Sequence, residues 1–202
     1  MAETARKDCS LKNCFRCNAF RDELLRLCPQ SEAIIPFSSG LPASLDLAAG
    51  GAVGLPTYVG FGGATNGTVT LGNTITIGTG GETVADYAFI VPKNGIIRSL
   101  YAQFTVIVAE TLTVGTIVVN CRLYSAPIGD TTFTLISDAN VNLAPAISNV
   151  AVGTVVSGNV KNLHTHINAG DQLLLVFSAQ NTSTSSIVGT LEGFASAGVA
   201  IS

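Results

Sequence analysis

Over most of residues 33–202 apolar and polar side chains alternate with a period of two, a pattern that strands satisfy and helices do not. Leu100, Ala102, Phe104, Val106 and Val108 alternate with Tyr101, Gln103, Thr105 and Ile107. Ile117, Val119, Cys121 and Leu123 share one face of the next run, opposite Val118, Asn120 and Arg122. Successive side chains of a strand point to opposite faces, so each run offers one apolar face to a core. Leu173 to Phe177 is apolar without interruption, as expected of a strand buried on both faces. Val69, Leu71, Ile75 and Ile77 flank Gly72-Asn73, which reads as a two-residue hairpin turn. Turns are also expected at Pro92-Lys93-Asn94-Gly95, Ser137-Asp138-Ala139-Asn140 and Asn168-Ala169-Gly170-Asp171. About eight to ten strands with no helical period between them predict an all-β sandwich or jelly roll.

Residues 1–32 have a different chemistry. They hold Arg6, Lys7, Lys12, Arg16, Arg21 and Arg26 with Glu3, Asp8, Asp22, Glu23 and Glu32, and four of the five cysteines: Cys9, Cys14, Cys17 and Cys28. From Ala33 onward Gly, Thr, Ser, Val, Ile and Ala take over, so a boundary falls between Pro29 and Pro36. The chain is thus read as a Cys-rich connector, residues 1–32, and a β domain, residues 33–202. Within the connector Cys17, Phe20, Leu24, Leu27 and Cys28 recur at helical steps and form one face. Asp22 and Arg26 add a favourable i,i+4 pair, and Pro29 stops the helix. A helix this short is marginal alone, so Phe20, Leu24 and Leu27 require a partner surface or a covalent tie.

Composition narrows the function. Only 11% of the residues are charged, against roughly 25% in ordinary domains. A surface so poor in charge does not keep free monomers apart, and much of it is expected to be covered by neighbouring subunits. Net charge is −3 with no basic run, which excludes a phosphate-neutralising nucleic-acid surface. The longest uncharged stretch, Leu47 to Gly81, is broken by Gly, Pro, Thr and Asn and does not predict a membrane span. The N-terminal MAETARKDCSLKNC lacks an apolar h-region, so export by a signal peptide is not expected.

Several blocks carry a resemblance. Ile34-Ile35-Pro36-Phe37-Ser38-Ser39-Gly40 and Val59-Gly60-Phe61-Gly62 open the β domain. Leu143-Ala144-Pro145-Ala146, the run from Gly170 to Ala179, and the terminal Gly193-Phe194-Ala195-Ser196-Ala197-Gly198-Val199-Ala200-Ile201-Ser202 follow in order. Over residues 33–202 the chain resembles the C-terminal domain of the Bcl-type collagen-like exosporium glycoproteins of Bacillus spores. The resemblance implies a homotrimeric jelly roll similar to tumour-necrosis-factor and C1q heads, synthesised in the mother cell and displayed on the spore surface. Family members carry Gly-X-Y repeats before this domain, and here the connector stands in their place. That departure points to the subunit of a spore-appendage or exosporium fibre, with trimers stacked through their connectors. An anchor bound to other exosporium proteins and a C1q-like recognition or adhesion module are the alternatives.

In an extracytoplasmic spore layer disulfides are the expected fate of Cys9, Cys14, Cys17 and Cys28. Zinc and reduced, buried thiols are the other readings. Zinc needs two close pairs or a His pair, and only Cys14 and Cys17 have such spacing. Cys17 and Cys28 cannot pair within one helix, because eleven residues at about 1.5 Å each exceed the ~7 Å Cα limit. Some bonds are therefore expected to reach another chain or another part of the connector. Cys121 reads as a small core hydrophobe. His164 and His166 share a strand face without an evident third ligand, so no metal is expected. Asp46, Asp86, Glu110 and Glu192 stand singly, and no P-loop, Rossmann or nucleophile-elbow pattern occurs in a suitable context, so neither an active site nor a cofactor is expected.

Overall fold

In a computed structural model the chain divides into two units, Met1–Glu32 and Ala33–Ser202. The structure describes residues 32–68, 71–76, 87–108, 115–182 and 189–202. The connector helix with Phe20, Leu24 and Leu27, and the thiols of Cys9, Cys14, Cys17 and Cys28, lie outside the described residues.

The β domain holds twelve described strands: β1 (Ala33–Ser38), β2 (Ala43–Leu47), β3 (Thr57–Val59), β4 (Ala64–Asn66), β5 (Thr74–Thr76), β6 (Phe89–Ile90), β7 (Gly95–Val106), β8 (Ile117–Ala126), β9 (Thr132–Asn142), β10 (Val155–Ile167), β11 (Gln172–Asn181) and β12 (Gly189–Ile201). Among the described residues there is no α-helix, and a 3-10 turn lies at Ala49–Gly51. The strands form two antiparallel sheets compatible with a β-sandwich. One runs β1-β12-β7-β10, with β2 also on β12, and the other runs β4-β3-β11-β8-β9-β5, with β6 on β11. The pairing is nested: β1 with β12, β3 with β11, β7 with β10, β8 with β9.

The period-two faces meet between the sheets. Ile35, Phe37, Leu45, Leu100, Phe104, Val199 and Ile201 from the first sheet join Val59, Val119, Cys121, Leu123, Leu175 and Phe177 from the second in one buried cluster. Phe104 and Phe177 meet across the layers with ring centroids 6.5 Å apart. Leu173–Phe177 is buried on both faces, as its unbroken apolar run predicts. Leu173, Leu175 and Phe177 face the main core, while Leu174 and Val176 face a smaller one with Tyr58, Ile75, Tyr124 and Phe133. Leu71 and Tyr87 pack onto this second core, so connecting segments cover part of the outer side of that sheet.

The corner after β1 shows why glycine is required there. Gly62 donates its N–H to the Ser38 carbonyl and Ser38 donates to Gly60, both at 2.8 Å. Gly40 turns the chain at φ +63°, where a Cβ would collide with the Gly62 backbone. Only glycine meets both demands.

Two turn assignments differ from the sequence reading. Among the described residues the Gly72-Asn73 hairpin does not close: β5 pairs with β9, and Leu71 and Gly72 belong to no strand. The Gly72 carbonyl instead accepts the Tyr124 hydroxyl at 2.7 Å, and the Asn73 carbonyl accepts Leu135 N–H at 2.8 Å. Ser137-Asp138-Ala139-Asn140 is not a chain reversal but lies inside β9. Its register shifts there, with Arg122 opposite Asn140 and Tyr124 opposite Leu135. The polar cluster therefore marks a bulge, where extra residues bend a strand without ending it. Turns at Pro92–Gly95 and Asn168–Asp171 stand as read, the second held by Asn168 N–H to Asp171 Oδ2 at 2.7 Å.

Candidate self-association surface

The outer face of the first sheet is built in rows by the strand register. Ser38, Ser196, Gln103 and Ser157 form one row across β1, β12, β7 and β10. Pro36, Gly198, Tyr101 and Asn159 form the next, then Ile34, Ala200, Ser99 and Lys161. On the other side lie Phe194, Thr105 and Val155. Within these rows Lys161 is the one charged side chain, and its ammonium lies 5.5 Å from the centre of the Tyr101 ring. Tyr101 and Phe194 stand out from the sheet at 47% and 46% exposure. Between the larger side chains, small residues of β12 and β10 leave a trough of about 340 Å³ over Ala102, Gly158, Ala197 and Gly198. The other charges flanking this face lie at its ends. Asp46 and Glu192 lie beyond Phe194, and Arg98, donating to Ser202 Oγ at 2.7 Å, lies beyond Ser99.

Gly198 is the informative position. Its backbone is ordinary extended strand, and the nearest atom to an added Cβ is Ile34 Cγ2 at 4.0 Å, so nothing inside the subunit requires glycine. Glycine in a strand interior weakens the strand and marks a close approach by another backbone or ligand. Gly158 and Gly193 contrast with it. A Cβ at Gly158 would meet Val141 Cγ1 at 2.6 Å. One at Gly193 would meet the Thr105 carbonyl and the Phe104 ring. Those two glycines serve packing within the subunit; Gly198 serves the open face.

The remaining candidates are dispersed. Cys121 sits in mid-β8 between Phe177 and Val141, is 0% exposed, and burial pushes its thiol well up. His164 and His166 are both exposed on β10, and the described residues contain no group of three His, Cys, Asp or Glu able to hold a metal. Asp46 and Glu192 border the uncharged face; Asp86 and Glu110 lie outside the described residues. On the outer side of the second sheet Asn120 donates to Asn140 and Asn142 at 2.7 and 2.8 Å and accepts from Arg122 at 2.8 Å, a ladder that satisfies itself. Sequence reasoning missed the face around Gly198, although a glycine on the solvent side of an alternating strand was the available signal. No helix among the described residues is long and apolar enough to cross a membrane.

The buried thiol has a measurable consequence. Its proton is retained in the folded chain, whereas the unfolded thiol ionises near pH 8.5. The contribution is fully present below that value and is lost as pH rises toward the folded one, by about 2 kcal/mol at pH 10. Tyr124, also raised by burial and partly offset by Arg122, acts with the same sign at higher pH. Cys121→Ala should therefore be less stable overall, yet lose less stability than wild type between pH 8 and 10 in urea unfolding. Parallel profiles would contradict the buried, protonated thiol.

No protein-family model matches the sequence, and no curated protein matches it significantly.

Proposed function

We propose that the chain is a structural subunit whose β domain is a jelly roll of the tumour-necrosis-factor and C1q kind, closing into homotrimers. The nested strand pairing supports this class, because a jelly roll folds a long hairpin so that first pairs with last and second with next to last. More narrowly, it is the repeating subunit of a spore-surface appendage or exosporium fibre, with trimers joined through the connector.

The observation that carries self-assembly is the charge-poor face around Gly198, which offers close backbone approach that the subunit itself does not use. Burying it against another copy desolvates little charge, and like surfaces of this kind do not repel. The acidic border at Asp46 and Glu192 and the basic one at Arg98 and Lys161 favour a head-to-tail contact, which closes into a ring when the rotation allows. Tyr101 and Phe194 are the aromatic anchors expected at the centre of such an interface.

Negative-stain microscopy of the purified full chain, with and without reductant, tests the reading. Fibres that shorten or disperse on reduction are expected. Isolated trimers under all conditions would remove the fibre and favour the recognition module.

A further inference from the structure

We propose that His164 and His166 form a two-point chelate for a divalent cation of the zinc and copper(II) kind on the outer face of β10. They are the two histidines of the whole chain, and both are exposed. A change of phase within the strand brings them there. From Val156 to Val160 the even-numbered residues of β10 turn inward: Val156 is buried and Val160 packs on the main core. A strand that kept this alternation would carry His164 and His166 inward as well. Instead Lys161 lies opposite Ser99 and Thr165 opposite Ile97, so residues 162 to 164 bulge against Arg98 alone. Asn162 makes the bulge at φ +59°, the one non-glycine residue with a positive φ among the described residues. Beyond it the phase is reversed: Leu163 and Ile167 are buried, and the two histidines face out. Bulges re-aim side chains in this way and are over-represented beside functional sites.

Two positions along a strand lie about 6.6 Å apart at Cα, with both side chains on one face. Imidazole is the commonest metal ligand and suits zinc, copper and nickel. The strand fixes the separation of the two rings, so the second binds at high effective concentration once the first has bound. The cations flanking the bulge are turned away. Arg98 donates from Nε to Ser202 Oγ at 2.7 Å, on the β12 side of β7, whereas β10 lies on the other side. Lys161 places its ammonium 5.5 Å from the centre of the Tyr101 ring, and Tyr101 pairs with Asn159, away from the histidines. No third His, Cys, Asp or Glu joins the pair among the described residues, so water completes the coordination of an open site. The missing third ligand, which in the sequence spoke against a metal, rules out a closed structural site and not a chelate of two.

The test uses the full chain with Cys9, Cys14, Cys17 and Cys28 replaced by Ser, which removes thiols that would compete for the metal. Calorimetric titration with zinc chloride should find one ion per chain, and copper(II) chloride should bind more tightly, the order expected of such ligands. His164→Ala or His166→Ala alone should weaken zinc binding about 100-fold, the loss of a tethered second ligand. Both substitutions together should abolish it. In NMR spectra zinc should shift the ring signals of both histidines in step. Both side chains are exposed, so the metal-free variants should melt as their parent does, and loss of binding is then read on folded protein. Zinc held no more tightly by the parent than by either single variant overturns the inference. So does binding that survives the double substitution, or a shift confined to one ring.

Discussion

Gly198→Val should give a subunit that folds at least as well as wild type and no longer associates. Within the subunit the added side chain meets open space, and valine suits a strand better than glycine by up to about 1 kcal/mol. In the proposed self-association the same atoms would occupy the space into which a second copy packs. Overpacking costs about 1–3 kcal/mol per contact, which corresponds to about 5- to 150-fold weaker association at each interface. Light scattering on a sizing column, paired with thermal melting, reads both halves. Gly193→Val is the control. It lies five residues away on the inner side of the same strand, and its side chain would strike the Phe104 ring. It should lower the melting temperature. A Gly198→Val chain that associates normally would mean the contact lies elsewhere.

Phe177→Ala should cost about 3–5 kcal/mol of folding stability, the usual range for a buried phenylalanine. Phe177 is fully buried at the centre of β11, with β8 on one side, β3 on the other and Phe104 facing it from the opposite sheet. The cavity it leaves cannot be filled from either neighbouring strand without breaking register. Against a typical stability of 5–15 kcal/mol, that loss brings the domain near the edge of folding. Urea unfolding is best measured in the Gly198→Val background, where association does not add to apparent stability. A change under 1 kcal/mol would mean that this residue is not in the core.

Much of the fold is legible in the sequence because burial and pleat share a period. The alternations of β7 and β8 put the right residues inside, and the unbroken run of β11 foretells its two covered faces. Val108 marks the limit: it continues the alternation but lies past the end of β7 and is exposed. Reading fails where polar residues serve inside a strand. Ser137–Asn140 carries turn residues, but neighbouring strands hold the segment straight enough to keep its pairing through a bulge. The hairpin at Gly72-Asn73 fails differently, since β5 pairs with β9, far along the chain, and Tyr124 holds the Gly72 carbonyl. The candidate surface is invisible for a third reason. Ser38, Ser196, Gln103 and Ser157 become a row only through register between strands far apart in sequence.

The pairing of β1 with β12 also sets a timetable. The strand that directly follows the connector lies against the last strand of the domain, from Ala33 opposite Ile201 to Ser38 opposite Ser196. It has no edge to join until β12 has been translated. At about 5–20 residues per second, the connector thiols leave the ribosome roughly ten to thirty seconds before the sheet that anchors them can close. Oxidation during that interval would tie unfolded chains together. On the proposed connector disulfides, those bonds would have to form after the domain has closed, so the order of events would be set by which two strands are neighbours.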